Sequence, residues 1–212
     1  MNNQDSLRYF SFLSSQPITP TTSKINSCND FSQYDADFIL RYASSQSDVL
    51  DLATGTGITL NKYYSYVNSV VAVEKFEPFT QLIVRNPRVE IVISDLKDFQ
   101  TTQTFDIITM FGIVSYFNEQ EIIALYEQYK RFLKVDGKLL IKNQFGVNET
   151  VEVNGFSTEL QCDYFSQYRY LPREIEILNS VGFNNVEIID IYPPEFNRWN
   201  NTHFYALVAT LK

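Results

Sequence analysis

Apolar residues recur along the chain in two alternating rhythms. Short, nearly continuous runs of Val, Ile and Leu appear at 49–52, 70–73, 89–93, 105–111 and 139–141; strands buried on both faces need such runs. Between them the spacing changes to three and four, the mark of a helix with one buried face. A first helix over 31–45 carries Tyr34, Phe38, Ile39, Tyr42 and Ala43, and others are predicted from Ile58 to Tyr66 and from Pro78 to Val84. After the fourth strand, Asn118 followed by Glu121 has the form of an N-cap with a capping box. Ile122, Leu125, Tyr126, Tyr129, Phe132 and Leu133 then form one face, and Asp136-Gly137 turns the chain into the fifth strand.

The carboxyl end breaks this alternation. A helix opens near Pro172, carries Ile175, Leu178 and Val181 and stops at Gly182, a suitable C-cap. Strands 186–191 and 204–208 follow, joined by a loop that holds Pro193, Pro194 and a polar run and has no room for a crossover helix, so they must be antiparallel. The expected fold is α/β: a doubly wound, mostly parallel seven-stranded sheet with a reversed last strand and helices on both faces, a Rossmann-like plan. Two segments stand outside it. Residues 1–30 are rich in Ser, Thr, Asn and Pro, with Pro17 and Pro20, and are expected to form a loosely structured N-terminal arm. With Tyr9, Phe10, Phe12 and the adjoining Phe31, that arm acts either as a lid or as plain packing on the domain formed by 31–212. The second segment, 145–171, is much longer than the ~2–6 residues usual between strand and helix.

At 212 residues the chain suits one compact domain, and 44% apolar with 20% charged residues places it among folded proteins. The formal charge of −8, without a Lys/Arg cluster, argues against a nucleic-acid partner. Cys28 and Cys162 form neither a disulfide framework nor a zinc motif. No basic, apolar leader opens the chain and no run of ~18 apolar residues occurs, which predicts a soluble cytoplasmic protein without membrane insertion, either monomer or homodimer.

The most specific feature is Asp48-Val-Leu-Asp-Leu-Ala-Thr-Gly-Thr-Gly57, a glycine-rich turn between a buried strand and a helix. Glycines there let backbone approach a ligand where a Cβ would collide. Leu60 stands where a dinucleotide-binding motif would place its third glycine, which favours a nucleoside ligand without a pyrophosphate. Glu74 closes the second strand and can accept hydrogen bonds from both ribose hydroxyls, a role shared by S-adenosyl and nicotinamide nucleotides. The stretch resembles motif I of the class I S-adenosylmethionine-dependent methyltransferases, with Ala53 where the fuller motif has another glycine. The resemblance implies cofactor contacts at Asp51, Ala53, Thr54, Gly55 and Gly57. It also implies them at Glu74 and Lys75 after the second strand, at Asp95 and Leu96 against adenine after the third, and at Met110 on the fourth. A metal is not required.

The acceptor is less legible. Tyr116 lies in the loop after the fourth strand, and Asn143 and Gln144 end the fifth. Tyr168 and Arg169 lie in the long insertion, and Asn197 and Arg198 lie with Trp199 in the last loop. These are the expected substrate contacts. His203, the only histidine, opens the reversed strand and is the expected base if the acceptor is a hydroxyl. The polar rim favours a small polar acceptor such as a sugar or sugar-linked anion, and the chain is also loosely similar to small bacterial methyltransferases of surface-glycan synthesis. Two rival readings are a non-catalytic S-adenosylmethionine-binding scaffold and a nicotinamide-dependent oxidoreductase.

Overall fold

The computed structural model describes residues 3–24, 30–158, 160–197 and 199–211. Cys28 and Arg198 lie outside the described residues. Seven strands form one sheet: β1 (Asp48–Leu52), β2 (Ser69–Glu74), β3 (Val89–Ile93), β4 (Phe105–Phe111), β5 (Leu133–Gly146), β8 (Phe183–Asp190) and β9 (Thr202–Leu211). Their order is β3-β2-β1-β4-β5-β9-β8. The β1–β2 and β2–β3 pairs are parallel, whereas β9 is antiparallel to both β5 and β8. The expected fold class holds, reversed last strand included. Burial follows position in the sheet: β2 is almost wholly buried, while Ile93 of edge strand β3 and Ile188 of edge strand β8 stay 47% and 46% exposed. The apolar run 89–93 therefore overstates burial, because an edge strand lacks a neighbour on one side.

The chain divides into two compact units. The first comprises Met1–Tyr9, Met110–Arg131 and Lys138–Lys212; the second comprises Phe10–Thr109 and Phe132–Gly137. In the second, helix α2 (Ser32–Tyr42) buries Phe38 and Ile39, and the short helix α3 (Leu60–Tyr63) buries Leu60 and Tyr63. In the first, helix α4 (Glu119–Tyr129) starts as its sequence predicts. Asn118 Oδ1 accepts from the Glu121 amide at 3.0 Å, and Glu121 returns the bond to the Asn118 amide at 3.0 Å. Helix α5 (Leu171–Ser180) buries Ile177 and Leu178 in the same unit.

Four local expectations change. Residues Asn3–Ser14 form helix α1, where Ser, Thr and Asn content pointed to irregular chain. Between β2 and β3 the chain makes a 3-10 turn over Glu77–Leu82, since Pro78 and Pro87 leave no space for a full α-helix. The fifth strand opens at Leu133 and passes through Asp136, at φ 62°, without breaking. The long insertion holds an antiparallel hairpin, β6 (Val151–Ser157) with β7 (Cys162–Tyr168).

Candidate active site

The glycine-rich turn lies in the second unit, where β1 ends. Asp51 is buried, and its Oδ1 accepts from Thr109 Oγ1 at 2.5 Å and its Oδ2 from Thr54 Oγ1 at 2.8 Å. Burial pushes its carboxyl up, against the pull of those two hydroxyls. Ala53 takes the left-handed conformation at φ 53°, which a residue with a Cβ adopts only where its surroundings impose it. Gly55 is at φ 59°. The turn is tied to β2 by the Thr54 amide on the Val73 carbonyl at 3.1 Å.

Glu74, at the end of β2, is also buried. Its Oε2 accepts from the Gly55 amide at 2.9 Å and its Oε1 from the Phe76 amide at 2.8 Å. Burial raises its carboxyl, and the backbone amides oppose that rise. Each oxygen therefore accepts from a backbone amide, the Lys75 backbone bonds the carboxylate as well, and a carboxylate with about four lone-pair sites keeps some acceptor capacity. That geometry fits two ribose hydroxyls. Asp95, just past β3, accepts from Lys75 Nζ at 2.5 Å and from the Lys97 amide at 2.9 Å. Against partial burial, these bonds hold its carboxyl below the ordinary value. Leu96 beside it is buried. Asp51, Glu74 and Asp95 thus lie at or just past the ends of three neighbouring strands, around a turn whose backbone is strained.

Part of the N-terminal arm lies against that turn. Thr56 Oγ1 donates to the Pro20 carbonyl at 2.5 Å, the Thr56 amide reaches Ser23 Oγ at 3.4 Å, and a Cβ on Gly55 would lie 2.5 Å from Ser23 Oγ. The arm around Pro20 therefore rests on the motif.

The remaining candidates belong to the first unit. Met110 is fully buried, and Tyr116 is half-buried in a 3-10 turn over Val114–Tyr116. Asn143 Nδ2 donates to the Gln144 carbonyl at 2.8 Å, and Gln144 Nε2 to Thr202 Oγ1 at 2.5 Å; both side chains are buried. Tyr168 is buried and meets Trp199 edge to face at 5.5 Å.

Arg169, expected as a substrate contact, is buried. Its Nε donates to Glu174 Oε2 at 2.5 Å, its Nη1 to the Phe117 carbonyl at 2.6 Å and to Gln167 Oε1 at 3.1 Å, and its Nη2 to the Val114 carbonyl at 2.8 Å. The Tyr126 hydroxyl donates to the other oxygen of Glu174. This guanidinium clamps the 114–117 turn to the start of α5.

His203 is held from both sides. Asn197 Nδ2 lies 2.7 Å from its Nδ1, and Asp190 Oδ1 lies 2.8 Å from its Nε2. Because Asn197 Oδ1 accepts from the Phe204 amide at 3.3 Å, its amide nitrogen faces Nδ1, which assigns the proton to Nε2. Asp190 was not among the candidates, although its place at the end of β8 beside β9 could have flagged it. Thr109 could have been flagged as the lone polar residue in Ile-Ile-Thr-Met.

Among the described residues, no group of three or more His, Cys, Asp or Glu side chains is placed to hold a metal, and no helix is long and apolar enough to cross a membrane. Residues 49–137 match the family described as a methyltransferase domain. No curated protein matches the chain in sequence. Among solved structures, DhpI in complex with S-adenosylhomocysteine has a TM-score of 0.73 at 16% identity, covering 99% of this chain and 96% of its own. A Burkholderia thailandensis 1,6-didemethyltoxoflavin-N1-methyltransferase has a TM-score of 0.73 at 15% identity, covering 97% and 88%. The Haemonchus contortus phosphoethanolamine N-methyltransferase 1 gives 0.72 at 16% identity and covers 100% of this chain, which spans 50% of that enzyme. The sequence match over 49–137 is thus to a methyltransferase domain, and these structures share the fold of the chain as a whole.

Proposed function

We propose that this protein holds S-adenosylmethionine on Asp51, Glu74, Asp95 and the turn from Ala53 to Gly57, and passes its methyl group to a small polar acceptor. The observation that carries this reading is the buried Glu74 carboxylate, which accepts backbone amides on both oxygens and keeps acceptor capacity beside a left-handed glycine turn. When bound, the cofactor supplies a methyl group already activated by positive sulfur. The chain's own work is then to bind and orient, since alignment of two bound reactants can contribute much of the rate. Thr109 and Thr54 fix the Asp51 carboxylate, and the Gly55 and Phe76 amides fix Glu74. The Thr19–Lys24 part of the arm, lying on the turn through Pro20 and Ser23, serves as a lid.

For a hydroxyl acceptor such as a sugar, His203 would take a proton at Nδ1 once Asn197 gives way, with Asp190 steadying the imidazolium. A sugar-linked anion finds less support, because the cation it would meet at Arg169 is spent on internal bonds. The relatives named above act, by their names, on phosphoethanolamine and on a toxoflavin nitrogen. Incubation with methyl-labelled S-adenosylmethionine and a panel of amines, sugars and sugar phosphates tests the reading. Label should move to one acceptor class and vanish with excess S-adenosylhomocysteine. No transfer to any class, with S-adenosylhomocysteine bound, would favour a non-catalytic binding protein.

A further inference from the structure

The two glycines of the turn face different neighbours, both within the unit that holds Phe10–Thr109. A Cβ on Gly57 would lie 2.7 Å from Ile83 Cγ1, so there the missing side chain makes room for apolar packing. A Cβ on Gly55 would lie 2.5 Å from Ser23 Oγ and 3.0 Å from Ser23 Cβ, so there it makes room for a hydroxyl brought in by the arm. The arm is built to hold that hydroxyl in place. The Thr22 amide donates to the Thr19 carbonyl at 3.1 Å, the Lys24 amide to the Thr21 carbonyl at 2.9 Å, and the Thr19 amide to Thr22 Oγ1 at 2.7 Å. Pro20 between them has a fixed φ, and Thr56 fastens its carbonyl to the turn.

Ser23 also differs from the other hydroxyls around the turn. Thr54 and Thr109 donate to Asp51, and Thr56 donates to the Pro20 carbonyl. Ser23 Oγ accepts from the Thr56 amide at 3.4 Å, and among the described residues its own hydrogen meets no acceptor. The Lys24 ammonium beside it faces Asp30 at 3.4 Å. The cofactor brings a complementary need. An ionised carboxyl only accepts hydrogen bonds, so Asp51, Glu74 and Asp95 suit the ribose hydroxyls, the adenine amine and the ammonium of the amino-acid end. None of the three can serve the carboxylate at that same end, which requires a donor.

We propose that Ser23 is a cofactor-binding residue whose hydroxyl donates to the carboxylate of S-adenosylmethionine, and that Thr56 is the positioning residue that seats it. The proposal rests on the S-adenosylmethionine-binding reading above. It gives the arm a chemical part in recognition: Ser23 reads the amino-acid end of the cofactor, while Glu74 and Asp95 read its nucleoside end. Thr56 acts only through the Pro20 carbonyl and the arm, since its hydroxyl is already engaged there.

The test is calorimetry on the full chain with two ligands, S-adenosylhomocysteine and methylthioadenosine, the second of which keeps adenine, ribose and sulfur but lacks the amino-acid end. Ser23→Ala should weaken S-adenosylhomocysteine about tenfold, the loss of one hydrogen bond to a charged group, and leave methylthioadenosine unchanged. Thr56→Val should weaken S-adenosylhomocysteine several-fold by loosening the arm, again without an effect on methylthioadenosine. In the Ser23→Ala chain the same Thr56→Val change should add little, because its effect passes through Ser23. Undiminished S-adenosylhomocysteine affinity in Ser23→Ala, or equal weakening of both ligands as a purely structural hydroxyl would give, would overturn the Ser23 contact and leave the cofactor reading standing. Fully additive losses in the double variant would overturn the part given to Thr56. Failure of the wild-type chain to bind S-adenosylhomocysteine would overturn both the proposal and the reading beneath it.

Discussion

Arg169 offers a sharp separation between a side chain that binds substrate and one that holds the fold. Arg169→Ala would remove the partner of a fully buried Glu174 and the donors on the Val114 and Phe117 carbonyls. Breaking one half of a buried ion pair costs ~3–5 kcal/mol, mostly because the remaining charge is left uncompensated. In a chain of this size 1 kcal/mol moves the melting temperature by about 2–4 °C, so the expected fall is about 6–20 °C. Glu174→Gln added to Arg169→Ala should recover part of that loss, because no buried charge then remains. Thermal scans and urea titrations of the three proteins measure it. A rim contact with the acceptor behaves differently: its loss raises KM and leaves stability nearly unchanged. Arg169→Ala with wild-type stability and a raised acceptor KM would refute the clamp.

Two further outcomes follow from the cofactor side. Gly55→Ala should destabilise the protein by about 1 kcal/mol for the left-handed backbone at φ 59°, and by more because the new Cβ meets Ser23; Ser23→Gly in the same chain should return only the second part, as a double-mutant cycle would show. Burial raises the Asp51 and Glu74 carboxyls above their ordinary values. The folded state therefore takes up protons more readily than the unfolded one, and their contribution to stability is complete below the unfolded pKa and lost as pH rises through the folded one. Ligand binding has the opposite sense, since ribose hydroxyls need the ionised Glu74. Calorimetry should show S-adenosylhomocysteine affinity falling on acidification from neutrality, with a flatter profile in Glu74→Gln.

Most of the sheet was legible because its strands carry their burial in their side chains. The Val/Ile/Leu runs of β1 and β2, and the Asn118–Glu121 cap of α4, depend on local residues alone. What the sequence concealed depends on partners distant in the chain. Arg169 reads as a surface cation until Glu174 and the 114–117 carbonyls are brought to it. Ser23 and Pro20 read as irregular chain, and only the fold lays them on Gly55 and Thr56. The β6–β7 hairpin had a signal in the alternation of Val151 and Val153 with polar residues, yet the burial of Tyr164 and Ser166 follows from what packs over β7. Of the proposed cofactor set, the three carboxylates were readable from their places at strand ends, whereas the Lys75–Asp95 pair was not.

The central claim is that Glu74 binds the ribose of S-adenosylmethionine, and titration of S-adenosylhomocysteine into the wild-type chain and a Glu74→Ala variant tests it most directly. The account predicts saturable one-to-one binding to the wild type that raises its melting temperature, and at least about a tenfold loss of affinity in the folded variant, since hydrogen bonds to a charged group are removed. Equal affinity in a folded Glu74→Ala protein, or wild-type binding of NADH in place of S-adenosylhomocysteine, would contradict it.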